Sequence, residues 1–260
     1  MSEELILVRR EGEIATVVLN RPEKLNALTK PMWRQLGEVM RALSADDGLR
    51  CLVLRGAGDR AFAPGNDISE FATERSNSAQ AKVYGAVHHE ALAALAECRH
   101  PTVALIKGIC VGGGLEIAAL CDLRICGASS RFGIPINRLG LVAGHAEIQA
   151  LVALAGRAVA LEILLEGQIL NAEEALRKGL VTRVVPDAKV EEEAYATARR
   201  IAEGAPLVAR WHKKFLRRLA DPRPLTEEER NEAYACYDTD DFQTGYQAFL
   251  AKTKPTFRGR

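Results

Sequence analysis

The stretch IKGICVGGGLEIAALCD, residues 106–122, runs from a strand through Gly112, Gly113 and Gly114 into an apolar helix. A strand that turns tightly into a helix leaves unpaired backbone N–H groups at the helix N-terminus, where they can donate to a ligand. Neither the GxGxxG dinucleotide fingerprint nor the GK[ST] of a P-loop is present. The stretch therefore predicts either a turn with close helix–sheet packing or a ligand-binding loop, and the residues alone leave both open.

The first turn of that helix contains Glu116, between apolar neighbours such as Leu115 and Ile117. A carboxylate near a helix N-terminus interacts favourably with the helix dipole, which is a common structural reason for an acidic residue there. This helix, however, is apolar nearly all round, and a buried carboxylate is costly unless it has a partner or a chemical task. We therefore predict a functional role for Glu116.

Strand-like and helix-like segments alternate along the first half of the chain, which is typical of an α/β fold with parallel strands and helices packed on the sheet. A hairpin precedes the alternation, and from Gly144 onward the pattern is mostly helical. We predict an α/β core over residues 1–190 and a C-terminal helical region over residues 191–260. The predicted strands cover residues 5–10, 14–20, 51–56, 102–108, 122–128 and 179–185, and the predicted helices in the core include 31–47, 78–98 and 113–120.

The chain of 260 residues has 35 basic and 34 acidic residues, so no overall field attracts it to nucleic acid or to an anionic membrane. No segment approaches the roughly 20 uninterrupted apolar residues of a membrane span, and the N-terminus lacks the pattern of a secretory signal. The six cysteines include no CxxC pair, and most have apolar neighbours. We expect buried, reduced thiols in a cytoplasmic protein that binds neither nucleic acid nor membranes.

A second glycine-containing loop, RAFAPGNDISEF at residues 60–71, presents Asn66 and Asp67 after Pro64 and Gly65. Like the turn before the apolar helix, it can leave backbone N–H groups free for a ligand. The sequence thus offers two loops that could hold the same molecule.

Two histidines, His88 and His89, are adjacent in a predicted helix. Neighbouring helix positions point to different faces, so the two imidazoles are not expected to converge on one metal ion. The sequence therefore predicts no metal site.

Five segments, taken together, resemble the enoyl-CoA hydratase/isomerase family of the crotonase superfamily. They keep the order and spacing of the family motifs over essentially the whole chain: NRPEKLNAL (20–28), AFAPGND (61–67), GICVGGGLEIAALCD (108–122), FGIPINRLGL (132–141) and GYQAFLAKTKPTFRGR (245–260). The resemblance implies a spiral of ββα units whose C-terminal helices build a homotrimer, often paired into a hexamer. It also implies an acyl-CoA thioester as substrate, bound between the two glycine loops. Coenzyme A is then part of the substrate, and no separate cofactor is expected.

The resemblance also assigns roles to residues. The backbone N–H groups of Asn66 and Gly113 match the oxyanion hole, where two donors stabilise the charge that a thioester carbonyl gains in an enolate. Glu116 matches the first of two glutamates that act as general acid and base in hydratases, and Asp67 is expected mainly to organise its loop. The positions that match the substrate site are Asn26, Ala27, Ala63, Gly65, Asp67, Ile68, Gly112, Ile136 and Leu141, with Phe249 and Lys252 reaching coenzyme A from a neighbouring subunit.

The chain departs from the hydratase pattern at the second glutamate, where Ile136 follows Pro135. Hydration is simplest with two carboxylates, one to activate the water and one to deliver the proton. Each group that provides general acid–base catalysis contributes a factor of roughly 10²–10⁴ in rate. A chain with Glu116 alone is therefore predicted to be a poor hydratase. His145 and Glu147, at the start of the next helix, are candidates for a relocated catalytic group. As first-turn residues they could instead face solvent or pair locally.

Several activities therefore stay open for this sequence. Isomerisation, thioester hydrolysis or decarboxylation of a branched, cyclic or aromatic acyl-CoA would need one base or none. A noncatalytic protein that binds acyl-CoA is a further alternative. The predicted catalytic set is Asn66, Gly113, Glu116, His145 and Glu147.

Overall fold

The computed structural model describes residues 4–260, whose strands form two sheets. In chain order the strands are β1 (Ile6–Glu11), β2 (Ile14–Leu19), β3 (Cys51–Gly56), β4 (Ala61–Ala63), β5 (Thr102–Ile106), β6 (Ile109–Val111), β7 (Leu123–Gly127), β8 (Arg131–Gly133), β9 (Leu170–Asn171) and β10 (Arg183–Val185). The larger sheet has the order β1-β2-β3-β5-β7-β10, and the smaller has the order β4-β6-β8-β9.

Three successive pairs of strands repeat one arrangement. In the pairs β3 and β4, β5 and β6, and β7 and β8, the first strand joins the larger sheet, the second joins the smaller sheet, and a helix follows. Neighbours from β2 to β10 in the larger sheet pair in parallel, whereas the β1–β2 hairpin is antiparallel. The predicted spiral of ββα units is therefore confirmed.

The three helices predicted within residues 31–47, 78–98 and 113–120 are present. In the first, Thr29 caps the N-terminus by accepting a hydrogen bond from the N–H of Met32 (3.4 Å), and Met32, Leu36 and Met40 are buried at four-residue spacing. The helices are α1 (Lys30–Ala45), α2 (Phe71–Glu74), α3 (Ser78–Ala96), α4 (Gly113–Leu120), α5 (His145–Glu166), α6 (Ala172–Arg177), α7 (Val190–Ala202), α8 (Pro206–Leu219), α9 (Glu227–Asn231) and α10 (Asp240–Ala251).

The first helix of the predicted C-terminal region packs on the larger sheet. Val190, Ala194 and Ala198 of α7 are buried against side chains of β3, β5 and β7, such as Val53 and Leu105. No residue from the start of α8 onward belongs to either cluster of buried apolar side chains in the described chain. The first helix of the C-terminal region therefore packs against the α/β core, and the boundary at residue 190 stays a prediction.

Helix α5 is long and apolar enough, by length and composition alone, to cross a membrane, and it is the one such helix among residues 4–260. The expectation that no uninterrupted apolar segment approaches this length is not contradicted, because Arg157 and Glu162 interrupt the apolar run. Gly156 has φ 81° and ψ 163°, which interrupts the helix near its middle. Each half is shorter than the roughly 20 residues that span a bilayer, and an interruption at that depth would leave backbone groups unpaired. One helix of this kind is weak evidence for membrane insertion.

Most of the cysteines are buried, as their apolar neighbours in the sequence predicted. Cys51, Cys98, Cys110, Cys121 and Cys126 are free and buried, and Cys236 is free and half-buried. Burial raises the pKa of Cys51, Cys121 and Cys126 to about 12. These thiols therefore stay protonated and act as small apolar side chains.

His100 is fully buried, and neither ring nitrogen has a hydrogen-bond partner in the described part of the chain. Burial, together with the cations of Arg210 and Arg99, lowers the pKa of His100 to about 4. The unfolded chain binds this proton near pH 6.5, whereas the folded chain does not. The free energy of unfolding therefore falls as the pH decreases from about 6.5 toward 4.

We expect the substitution His100→Leu to remove this part of the acid sensitivity. Between about pH 7 and about pH 5, the wild-type protein should lose about 2 kcal/mol more of its free energy of unfolding than the variant. Urea unfolding at both pH values measures the difference. Equal losses in the two proteins would contradict a neutral, buried His100.

Candidate active site

The glycine-rich turn before α4 lies against the loop that follows β4. Gly112 has φ 53° and ψ −126°, a backbone conformation that favours glycine. A Cβ atom at Gly114 would lie 2.2 Å from the carbonyl oxygen of Ala63, and one at Gly65 would lie 3.4 Å from the backbone nitrogen of Gly113. The glycines thus let the two loops approach each other backbone to backbone.

Asn66 and Gly113 carry unused backbone donors. Neither N–H donates to an acceptor among residues 4–260, whereas the neighbouring N–H of Gly112 donates to the carbonyl of Gly133 (2.8 Å). Gly113 is the first residue of α4, so its N–H lies at the positive end of the helix dipole. Both residues line the same cavity. Two donors are therefore available to a carbonyl oxygen that gains negative charge.

The loop that carries Asn66 is held by its neighbours. The N–H of Asp67 donates to the carbonyl of Leu28 (2.8 Å). The Asp67 carboxylate accepts hydrogen bonds from the Ser69 hydroxyl (2.7 Å) and the Arg21 guanidinium (3.0 Å), and these contacts lower the pKa of Asp67. The contacts support the predicted role of Asp67 in organising the loop.

Asn26 is fully buried, and its side chain holds backbone segments together. Its oxygen accepts from the N–H of Arg21 (3.1 Å), and its amide nitrogen donates to the carbonyls of Ala57 (3.1 Å) and Ala61 (2.9 Å). A side chain without exposed surface offers no contact to a substrate. This corrects the prediction of Asn26 as a binding residue, and its role is to fix the loops around the site.

A cavity of about 190 Å³ lies between the two glycine loops and the start of α5. Its wall contains polar groups, such as the carboxylate of Glu116, and apolar side chains, such as that of Ile136. The predicted site residues that line it are Gly65, Asn66, Ile68, Gly112, Gly113, Glu116, Ile136, Leu141 and Glu147. Ala27, Ala63 and Asp67 belong to the supporting segments and do not line the cavity.

Glu116 lies beside His88 of α3. Its Oε2 atom is 3.1 Å from Nε2 of His88, but the direction of approach is not that of a hydrogen bond, and both buried atoms lack another partner among residues 4–260. The other ring nitrogen, Nδ1, is 3.5 Å from Oε1 of Glu147. The ring of Trp33 packs against the imidazole, with 4.2 Å between the ring centroids. His88 therefore stands between two carboxylates.

Glu147 is only 6% exposed and lines the cavity, so the alternative in which it faces solvent is wrong. Its Oε1 also lies 3.1 Å from Nε2 of His89, and its Oε2 is buried without a hydrogen-bond partner in the described chain. Ile136, at the position of the missing glutamate, presents an apolar side chain to the same cavity. The cavity thus holds a second carboxylate, which comes from α5.

Three of the predicted residues are not brought to the cavity. His145 is exposed at the start of α5 and does not line it, so the structure gives no support to His145 as the relocated acid or base. Phe249, which is 83% exposed, and Lys252 lie at the end of α10 and do not line it either. Their predicted contact with coenzyme A in a neighbouring subunit stays a prediction.

The prediction that His88 and His89 diverge is wrong, because both rings reach the same oxygen of Glu147. The sequence does contain a pattern that predicts the buried position of His88. Tyr84, His88 and Leu92 follow one another at four-residue spacing and all lie on the buried face of α3. That spacing indicates a histidine that faces the protein interior. It does not indicate which side chains the histidine contacts.

The same three side chains could hold a metal ion. One ligand atom from each of His88, His89 and Glu147 lies within 4.8 Å of the others, and no second group of this kind occurs in residues 4–260. Imidazole and carboxylate groups are ligands that suit a divalent transition metal. Their contacts with one another, at 3.1 and 3.5 Å, account for the arrangement without an ion.

Comparison with known proteins agrees with this geometry. The sequence model of the enoyl-CoA hydratase/isomerase family matches residues 9–260. The chain is 34% identical over 264 residues to a probable enoyl-CoA hydratase of Rhizobium meliloti, covering 100% of both chains. It is 35% identical over 254 residues to an (E)-benzylidenesuccinyl-CoA hydratase of Thauera aromatica, covering 95% of this chain and 96% of the relative.

A solved structure is similar over the whole chain. The crystal structure of an enoyl-CoA hydratase/carnithine racemase from Magnetospirillum magneticum matches with a TM-score of 0.98 and 50% identity, covering 100% of this chain and 97% of that one. The chain therefore belongs to the enoyl-CoA hydratase/isomerase family, and it has the crotonase fold that its motifs predicted. Its family is one of enzymes that act on acyl-CoA thioesters.

Proposed function

We propose that this enzyme forms an enolate from an acyl-CoA thioester and that its reaction is the reversible hydration of an enoyl-CoA. One observation carries the proposal: the unused N–H groups of Asn66 and Gly113 and the carboxylate of Glu116 line one cavity. Two donors and one proton-transfer group are what an enolate next to a thioester requires. The relatives named as hydratases support the same reaction.

In the proposed reaction, the thioester oxygen accepts hydrogen bonds from the N–H groups of Asn66 and Gly113, and each such donor contributes roughly 10²–10³ in rate. The oxygen of a water molecule bonds to the β-carbon while the electrons of the double bond move into the enolate. Protonated Glu116 delivers its proton to the α-carbon, and Glu147 takes up the proton that the water loses. Proton exchange with solvent then returns Glu116 to its protonated form and Glu147 to its ionised form.

Glu147 supports hydration because it supplies the second carboxylate that position 136 lacks. Its Oε2 is buried without a hydrogen-bond partner among the described residues, and a buried unpaired acceptor is costly unless a water or ligand binds it. His88 lies 3.1 Å from Glu116 and 3.5 Å from Glu147, so one ring separates the two carboxylates. This arrangement places a second carboxylate, with an oxygen unpaired in the described chain, in the wall of the cavity that Glu116 lines.

Double-bond isomerisation is the second candidate, and Ile136 favours it. An isomerase moves one proton between the α- and γ-carbons and needs a single acid–base group on one face of the acyl chain. Glu116 could do this alone, with Ile136 keeping water from that part of the cavity. The two candidates differ in the mass of the product.

Mass spectrometry of the products of a series of trans-2-enoyl-CoAs separates the two candidates. We expect products heavier by one water molecule, and we expect the Glu147→Gln variant to lose this hydration. Products of unchanged mass with a shifted double bond would overturn hydration in favour of isomerisation. Free coenzyme A or loss of carbon dioxide would overturn both candidates.

We also propose that the enzyme is a homotrimer or hexamer located in the cytoplasm, without a nucleic-acid or membrane partner. The exposed apolar side chains of Leu161 and Leu165 on α5 and of Phe249 and Leu250 on α10 favour burial between subunits. Five buried free thiols favour a reducing compartment. The neighbouring subunit would then supply Phe249 and Lys252 to the coenzyme A site.

A further inference from the structure

Arg75 is a cation in the cavity wall that nothing in the proposed reaction uses. It follows α2 and lines the cavity together with Glu116. Its guanidinium lies over the rings of Phe71 and Tyr84, at 4.7 and 4.8 Å from their centroids. Among residues 4–260, the guanidinium makes no hydrogen bond and no ion pair. The stacked rings hold the group in place but leave its five N–H donors available.

The acidic side chains on the neighbouring turns already have partners. Glu70 accepts hydrogen bonds from the backbone N–H of Lys30 (3.0 Å) and from the hydroxyl of Tyr84 (3.0 Å). Glu74 pairs with the ammonium group of Lys30 (2.7 Å). The charge of Arg75 therefore has no counterion among the described residues, and an anion that enters the cavity would provide one.

We propose that Arg75 binds a carboxylate on the acyl group, so that the substrate is the coenzyme A thioester of a dicarboxylic acid. The proposal rests on the proposed function, because it assigns the acyl group of that same site. A guanidinium matches a carboxylate in a planar, two-point hydrogen bond, and its stacking reduces the entropy lost on binding. The apolar wall formed by Ile68, Ile136 and Leu141 would cover the methylene groups between the two ends.

The phosphates of coenzyme A are another anion that an arginine could hold. That contact would be the same for every acyl-CoA, whatever its acyl group. A carboxylate on the acyl group is favoured because Arg75 lines the same cavity as Glu116 and Ile136, whereas Phe249 and Lys252, the residues predicted to contact coenzyme A, do not line it. The two sources of charge predict different patterns of specificity.

The test compares 2-enoyl-CoAs of equal chain length that end in a carboxylate or in the neutral carboxamide. The wild-type enzyme should prefer the carboxylate at the length that reaches Arg75. In the Arg75→Gln variant, kcat/KM for that carboxylate should fall about 10–100-fold, as for the loss of a charged hydrogen bond, while kcat/KM for the carboxamide should stay nearly unchanged. The Arg34→Gln variant is the matched control, since Arg34 is exposed on α1 and does not line the cavity.

Three results would overturn the proposal. An equal loss for both substrates would assign Arg75 to the coenzyme A phosphates, and no loss for either would leave it without a role in binding. Hydration of the carboxamide in preference to the carboxylate would refute the dicarboxylic substrate but leave the proposed function intact. Calorimetric binding of the saturated analogues gives a readout without turnover, so the inference is tested even if no enoyl-CoA is hydrated and the proposed function fails.

Discussion

The substitution Glu116→Gln should lower turnover of the enoyl-CoA substrate by about 10³-fold or more, while binding of a saturated acyl-CoA changes little. Glutamine keeps the size of the side chain but cannot deliver a proton to the α-carbon, and the loss of general acid–base catalysis costs roughly 10²–10⁴ in rate. The side chain is buried in a contact of 3.1 Å with His88, which the amide can still fill. Steady-state kinetics and calorimetric binding together measure this separation of kcat from affinity.

Glu90→Gln is the matched control for this variant. Glu90 is exposed on α3, two residues after His88, and does not line the cavity. The control should keep full turnover. If the Glu116→Gln variant keeps more than about a tenth of wild-type turnover, a loss below the smallest contribution expected of a catalytic acid, Glu116 is not the proton donor.

The substitution Gly114→Ala should lower kcat by about 10²–10³-fold through displacement of the oxyanion hole. An added Cβ would lie 2.2 Å from the carbonyl oxygen of Ala63, so the two glycine loops would have to separate. Asn66 follows this carbonyl by three residues, and Gly113 precedes the substituted position. Both donors would therefore move relative to the thioester oxygen. The free energy of unfolding should also fall, by about 1–3 kcal/mol, as for overpacking of a buried site.

Gly85→Ala is the control for an added methyl group. Gly85 lies within α3, where a Cβ would meet nothing closer than 3.9 Å, the distance to Cε1 of His89. Alanine there should raise stability by up to about 1 kcal/mol and leave kcat unchanged. Wild-type kcat in a folded Gly114→Ala protein would show that the spacing of the two loops does not set the rate.

The sequence was sufficient for the parts of the fold that local chemistry determines. Helix α4 begins at Gly113 and ends at Leu120, as predicted, because the glycines and the apolar run act within a few residues. The residues alone indicated two loops that could hold a ligand, whereas the assignment of Asn66 and Gly113 as oxyanion donors came from the resemblance to the family. The packing surface of α7 could not be predicted in the same way, because only the assembled sheet determines that Val190 and Ala194 pack against it.

The environment of Glu116 could not be predicted, because it depends on three helices that meet only in the folded chain. His88 comes from α3, Glu116 from α4 and Glu147 from α5, and their contacts require a particular packing of these helices. The sequence offered both His145 and Glu147 as candidates, two residues apart. The direction of the first turn of α5 places Glu147 inside and leaves His145 exposed.

Exchange of the α-hydrogens of a saturated acyl-CoA with deuterated water tests the central claim most directly. An enzyme that stabilises an enolate and has a base at the α-carbon should exchange these hydrogens without any overall reaction, and NMR or mass spectrometry follows the deuterium. We expect exchange with the wild-type enzyme and none above background with Glu116→Gln. A wild-type enzyme that binds the acyl-CoA without exchange, or a variant that exchanges equally fast, would contradict the account.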